Sequence, residues 1–286
     1  MPDIFPAKLL LFGEYTVLDG SQALSVPLRH LTGKWNKQEE SGQMSLIPEY
    51  YRWLQKVELA DEKTYERMVA EFEDGWTYES NIPVGYGVGS SGAYVAAVYD
   101  RYINNGEKKI NKTTEKMAQM EAYFHGSSSG MDPLVSYTGK SVYKNEKGEF
   151  QLIDNIGWPE GYKVYLLDSG VPRETASLVN RYKERIEDQA ATEKMKQYFL
   201  PIVEQAIQSY LAGENQKLEE SIEGISQFQR ENFKEVIPEA VQKQWDEISS
   251  RPGVYVKLCG AGGGGYYLVI DSKGRLDAKG LVPIQA

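Results

Sequence analysis

Between Val254 and Ile270 the chain reads VYVKLCGAGGGGYYLVI, and no other stretch constrains the fold as strongly. Four consecutive glycines are entropically costly to order, which implies a need for bare backbone. The spacing of Gly260, Gly262 and Gly265 also satisfies the G-x-G-x-x-G of dinucleotide-binding folds. That fingerprint requires a helix directly after the glycines, because the pyrophosphate rests on the helix N-terminus. Here the next residues are Tyr266, Tyr267, Leu268, Val269 and Ile270, five strand formers in a row, and no helix of a βαβ unit follows before residue 286. The segment is therefore read as a glycine hairpin between strands at 254–259 and 266–270. A simple turn needs one or two glycines, so five in six positions point to backbone in close approach to a ligand or to another loop.

The rest of the chain alternates local signals. KLLLFGEYTVL (8–18) reads as a strand, a turn at Gly13-Glu14 and a second strand, closed by Asp19-Gly20, and ALSVPL (23–28) continues the sheet. YYRWLQKVEL and KTYERMVAEF carry helical patterns within an otherwise polar 36–80 region. A loop at 81–89 opens into a helix, NKTTEKMAQMEAYF (111–124) is helical, and HGSSSG (125–130) breaks it. YKVYLLDSG (162–170) is a buried strand, and four helical patterns fill 173–250. An α+β chain in two lobes, 1–158 and 159–286, fits this order.

The second glycine-rich stretch, IPVGYGVGSSGAYVAA, has the helix that the first one lacks. Gly85, Gly87 and Gly89 permit tight or left-handed turns after Pro83, and Ser90 and Ser91 can cap the following helix. Free N–H groups and the positive dipole end at such a start form an anion site. No lysine follows the last glycine, so this is not a Walker A loop. A serine hydroxyl beside phosphates can also ligate Mg²⁺, which prefers oxygen donors. Glu121, near a helix end, and Asp132, after the break, would face one pocket if the chain doubled back. One carboxylate could then hold metal while the other takes or orients a hydroxyl proton. Lys8, at the start of an apolar strand, is either an ordinary exposed lysine or one aimed into a pocket to stabilise an alkoxide.

A net charge of −9 argues against general nucleic-acid or anionic-membrane binding. One cysteine excludes an intramolecular disulfide, and two histidines leave little for zinc chemistry. The N-terminal residues lack the form of a signal peptide, and no run of about 18 apolar residues occurs. A cytoplasmic protein is expected, with a homodimer left open.

These segments, in this order, resemble the GHMP kinase superfamily. PAKLLLFGEYTVLDG resembles its first motif, IPVGYGVGSSGAYVAA the ATP-phosphate loop of its second, and KLCGAGGGGYYLVI its late glycine hairpin. EAYFHGSSSGMDPLVSYTGK and LLDSGVPRETASLV are similar to segments of the mevalonate kinase branch. The resemblance implies an N-terminal lobe like ribosomal protein S5 domain 2, a ferredoxin-like C-terminal lobe, and transfer of the γ-phosphoryl of ATP to a small alcohol. Mevalonate, an isoprenoid precursor, is the first candidate; phosphomevalonate, homoserine, a sugar or a non-catalytic nucleotide-binding role are alternatives. Carried over by position, Asp132 matches the catalytic aspartate and Lys8 the lysine beside the reacting hydroxyl. Glu121 and Ser91 (Ser90 as second choice) match the Mg²⁺ ligands. Residues 83–91 would hold the triphosphate, bordered by Gly260, Gly262 and Gly263. The chain departs from the pattern at Ala7 (usually Gly), Tyr15 (commonly His), Gly92 (usually Ala), Ser128 (usually Pro) and Cys259 (usually a small hydroxyl residue).

Overall fold

The computed structural model describes residues 4–38, 47–154, 157–172 and 189–284. They fall into two compact units. One is drawn from Met1–Lys8, Pro27–Pro83 and Gly89–Val142, the other from Leu9–Val26, Val84–Val88 and Tyr143–Ala286.

The sheet that begins the chain runs in the order β1 (Phe5–Phe12), β2 (Ala23–Lys37), β4 (Ser141–Lys144), β5 (Phe150–Ile153), with β3 (Trp76–Ser80) paired to β2. β2 and β3 are antiparallel, with Gly33 opposite Ser80 and Lys37 opposite Trp76. Among the described residues the first unit carries the α-helices α1 (Ile47–Lys56), α2 (Glu62–Glu73), α3 (Ser90–Val98), which runs on into a π turn at Tyr99–Ile103, α4 (Ile110–His125) and α5 (Met131–Thr138). Asp61 caps α2 by accepting from the Thr64 amide at 2.9 Å. α4 buries Thr113, Met117, Met120 and Glu121, one stripe at helical spacing, and ends where the Gly126 amide donates to the Ala122 carbonyl. Its apolar stripe joins Tyr50, Leu54, Met68, Val95, Val98 and Tyr99 in one core.

In the second unit the strand order is β7 (Val254–Leu258), β8 (Tyr266–Asp271), β6 (Lys163–Asp168), β9 (Val282–Pro283), all neighbours antiparallel. Leu268 lies opposite Leu166 on one side and Lys257 on the other. Helix α6 (Gln189–Lys194) passes through a π turn at Met195–Phe199 into α7 (Leu200–Ala212), followed by α8 (Asn215–Asn232) and α9 (Glu239–Ser249). α7 packs on α8, and both α8 and α9 lie against β7. Among the described residues no helix is long and apolar enough to cross a membrane.

The α+β class and the late hairpin agree with the sequence reading, and three local expectations do not. The second strand expected after Gly13-Glu14 is instead a short 3-10 turn, Thr16–Asp19, ended by Gly20 in a left-handed conformation. Thr16 and Val17 favour strand locally, but Val17 N–H donates back to the Gly13 carbonyl at 3.0 Å, and Tyr15 leaves the extended region altogether. β3, β4, β5, β9 and α5 were not anticipated. β3 exists by pairing with a distant strand, and α5 is only eight residues long, with Pro133 in its first turn where a missing N–H costs nothing. Finally, Ser90 and Ser91 are not the cap of α3. The cap is Gly89, with no side-chain bond, because Ser91 turns to other partners. The helical pattern expected over 175–189 lies almost wholly outside the described residues.

Candidate active site

Within the first unit, four elements converge. β1 supplies Lys8, α3 supplies Ser91, α4 supplies Glu121 and α5 supplies Asp132. Lys8 is a lysine in a strand that is otherwise apolar and buried, and its ammonium meets the Asp132 carboxylate at 2.8 Å. The lysine side chain is 7% exposed and the aspartate 32%. The charge pair is therefore anchored from the protein side and open on the aspartate side.

Two glycines make this placement possible. Gly89 has φ +77°, which glycine adopts without strain, and a Cβ there would lie 2.7 Å from Lys8 Cγ. The lysine stem thus passes directly over the loop backbone. Gly92 packs α3 onto the start of α5, where a Cβ would meet the Asp132 backbone, the Asp132 Cβ and the Pro133 nitrogen, all at 3.0 Å. The glycine found where the family pattern has alanine is a spacer beneath Asp132.

Glu121 is buried, and its two oxygens are held by different hydroxyls: Ser91 Oγ donates to Oε1 at 3.2 Å and Ser128 Oγ to Oε2 at 2.5 Å. Ser128 in turn accepts from the Gly130 amide at 2.9 Å. Burial, and then the nearby Asp132 charge, push the Glu121 carboxyl up to about 7, against the opposing pull of Ser128, Lys8 and Ser91. His125, one turn further along α4, brings Nε2 to 2.9 Å from Ser91 Oγ. Lys8, Ser91, Glu121 and Asp132 are thus brought together, while Ser90 only opens the helix. His125 and Ser128 were missed as members of this set. The signal for His125 was its i, i+4 spacing from Glu121; Ser128 was noticed only as a departure from a motif.

Glu121 and Ser91 offer two oxygen donors, a set that suits Mg²⁺. Among the described residues no group of three or more His, Cys, Asp or Glu side chains could hold a metal ion.

The second unit contains the glycine loop and the stretch Val84–Val88, which carries Gly85 and Gly87. The two pack backbone to backbone. Tyr266 N–H donates to the Tyr86 carbonyl at 3.2 Å, and a Cβ on Gly265 (φ +68°) would lie 2.5 Å from that carbonyl oxygen. Gly262 and Gly263 lie against Val236, whose carbonyl accepts from Gly263 N–H at 2.6 Å. The close approach expected of these glycines is thus to other loops, that of residues 84–88 among them. The fully buried pair Glu14 and Lys257 stands at the base of the loop, where Lys257 also donates to the Leu258 carbonyl.

Residues 56–140 match the profile described as the GHMP kinases N terminal domain. The segment that carries Ser91, Glu121 and Asp132 is thus similar to the N-terminal domain of GHMP kinases. Among curated proteins, a mevalonate kinase of Thermococcus gammatolerans is 26% identical over 296 aligned residues, covering 91% of this chain and 86% of the relative. The fold is shared with a crystal structure of L. major mevalonate kinase in complex with R-mevalonate, at TM-score 0.62 and 16% identity over 94% of this chain and 86% of that one. It is shared equally with Lactococcus lactis galactokinase complexed with galactose, at TM-score 0.66 and 15% identity over 94% of this chain and 85% of that one. Among GHMP kinases the sequence likeness runs to mevalonate kinases, whereas the fold is common to several.

Proposed function

We propose that this chain is an ATP-dependent phosphotransferase that moves the γ-phosphoryl of ATP onto the hydroxyl of mevalonate or a closely similar hydroxy acid. The observation that carries the reading is the Lys8–Asp132 pair at 2.8 Å, buried at the lysine and open at the aspartate, beside a hydroxyl-held carboxylate.

The chemistry follows from these groups. An acceptor hydroxyl placed against the pair donates its hydrogen to Asp132, while the Lys8 ammonium stabilises charge growing on the oxygen. The start of α3 offers its first-turn amides to the phosphates, which needs no net positive charge on the chain. Glu121 and Ser91 are the residues that would hold Mg²⁺, with Ser128 and His125 fixing their orientation. When bound, the ion supplies neutralisation of phosphate charge. The protein's own contribution is alignment of the acceptor oxygen with the phosphorus, the main catalytic lever in phosphoryl transfer. The lobes 1–158 and 159–286, with the phosphate loop at 83–91 bordered by Gly260, Gly262 and Gly263, belong to the same proposal.

A coupled ADP-release assay over mevalonate, phosphomevalonate, homoserine and several sugars tests it. Mevalonate is expected to stimulate ADP formation most. Preference for another alcohol would overturn the acceptor, and no stimulation by any of them would overturn the kinase reading.

A further inference from the structure

Tyr15 is a first-motif residue for which phosphoryl transfer has no evident need. Its φ is +66°, a region that a bulky side chain occupies only when its surroundings over-determine it. Those surroundings are specific. The ring is 5% exposed and stacks on Phe233 with centroids 4.9 Å apart and planes inclined by 27°. The hydroxyl donates to the Ala261 carbonyl at 2.5 Å, inside the glycine loop and 246 residues away in sequence.

The same wall grips the loop a second time. Phe233 leads into the short turn Lys234–Val236, and it is the Val236 carbonyl that accepts from Gly263. On the preceding side, Glu14 holds Lys257 just before the loop begins. The far end of the loop rests on Tyr86 through the Tyr266 amide, so a shift of the loop is transmitted to the 84–88 backbone. A run of glycines has no side chains with which to fix its own conformation, so the ties must come from elsewhere.

We propose that Tyr15 is a positioning residue that sets the conformation of the 259–265 loop and, through Tyr86, the affinity for ATP. The inference rests on the phosphotransfer reading above. Its hydroxyl is committed to Ala261, which makes it a brace for the loop and not a contact of the acceptor alcohol.

The test is Tyr15→Phe, which keeps the ring and removes one hydrogen bond. The KM for ATP is expected to rise about threefold to tenfold, with kcat within about twofold and the acceptor KM unchanged. Hydrogen exchange at amides 260–266 is expected to accelerate by a similar factor while exchange in α4 stays put. An unchanged KM for ATP, or a change confined to the acceptor KM, overturns the proposal. If the parent protein turns over no alcohol, the functional reading has failed, and the exchange measurement still decides whether Tyr15 braces the loop. Should Tyr15→Phe not fold, Phe233→Leu loosens the ring seat and keeps the hydroxyl; it is expected to shift loop exchange in the same direction, and unchanged exchange overturns the brace.

Discussion

Among the described lysine–carboxylate pairs, two have a buried lysine, and they differ in what they leave open. Lys257 and Glu14 are both 0% exposed. Lys257 also donates to a carbonyl and lies 5.7 Å from the centre of the Phe12 ring. Lys8 is nearly as buried, but its partner Asp132 is about one-third exposed. A pair sealed on both sides has exchanged its hydration for each other and can do no chemistry on a third molecule; it fixes geometry. A pair sealed on one side keeps the lysine desolvated and leaves carboxylate oxygen for an incoming hydroxyl. Under the proposed function the same two functional groups serve architecture in one place and reactivity in the other, and exposure of the acid makes the distinction.

Substitutions can break that contrast. Asp132→Asn is expected to lower kcat by about 10²- to 10⁴-fold, as loss of a proton acceptor does, with a smaller loss of thermal midpoint than Lys257→Met because the amide oxygen still accepts from Lys8 and the site is open to water, read by the ADP-release assay and calorimetry. Lys257→Met should do the reverse in kind, costing about 3–5 kcal/mol of stability by stranding a buried carboxylate. Pairing it with Glu14→Leu should recover most of that loss in denaturant titrations, whereas no second substitution should restore activity to Asp132→Asn. Gly92→Ala sharpens the comparison from within the open pair. Its methyl would push on the Asp132 backbone, so kcat is expected to fall about tenfold through misalignment, at a cost of about 1–3 kcal/mol from overpacking. The smallest effect is expected for Ser128→Ala, which removes one hydroxyl from Glu121. Mg²⁺ titration in the presence of ATP should show a requirement raised several-fold, about the worth of one hydrogen bond to a charged group, with kcat at saturation near the parent value.

How far the sequence could be read follows from the range of the interactions involved. The hairpin at 254–270 was legible because glycines and strand formers are adjacent, and α4 because its buried residues recur at helical spacing. The turn at Thr16–Asp19 was misread because β-branched residues favour strand locally, while the decisive contacts of Glu14 and Tyr15 lie about 245 residues away, at Lys257 and Ala261. Lys8, Ser91, Glu121 and Asp132 were found through the family resemblance; their composition and spacing alone left them among many acids and lysines. Ser128 and His125 stayed outside the predicted set because their parts depend on rotamers and hydroxyl directions, which no spacing encodes. The purpose of Gly92 became visible only when a neighbouring helix start was found where its side chain would be.

Cys259 has a use that none of its neighbours shares. It is the chain's one cysteine, it is buried at the mouth of the glycine loop, and its thiol donates to the Tyr266 carbonyl at 2.9 Å, at the point where the hairpin closes. A thiol so placed reacts with an alkylating reagent only when the hairpin base parts. The unmodified protein therefore carries its own chemical clock for loop opening: the labelling rate of a single native atom, followed by intact mass, reports how often the loop lets go, and nucleotide should slow it.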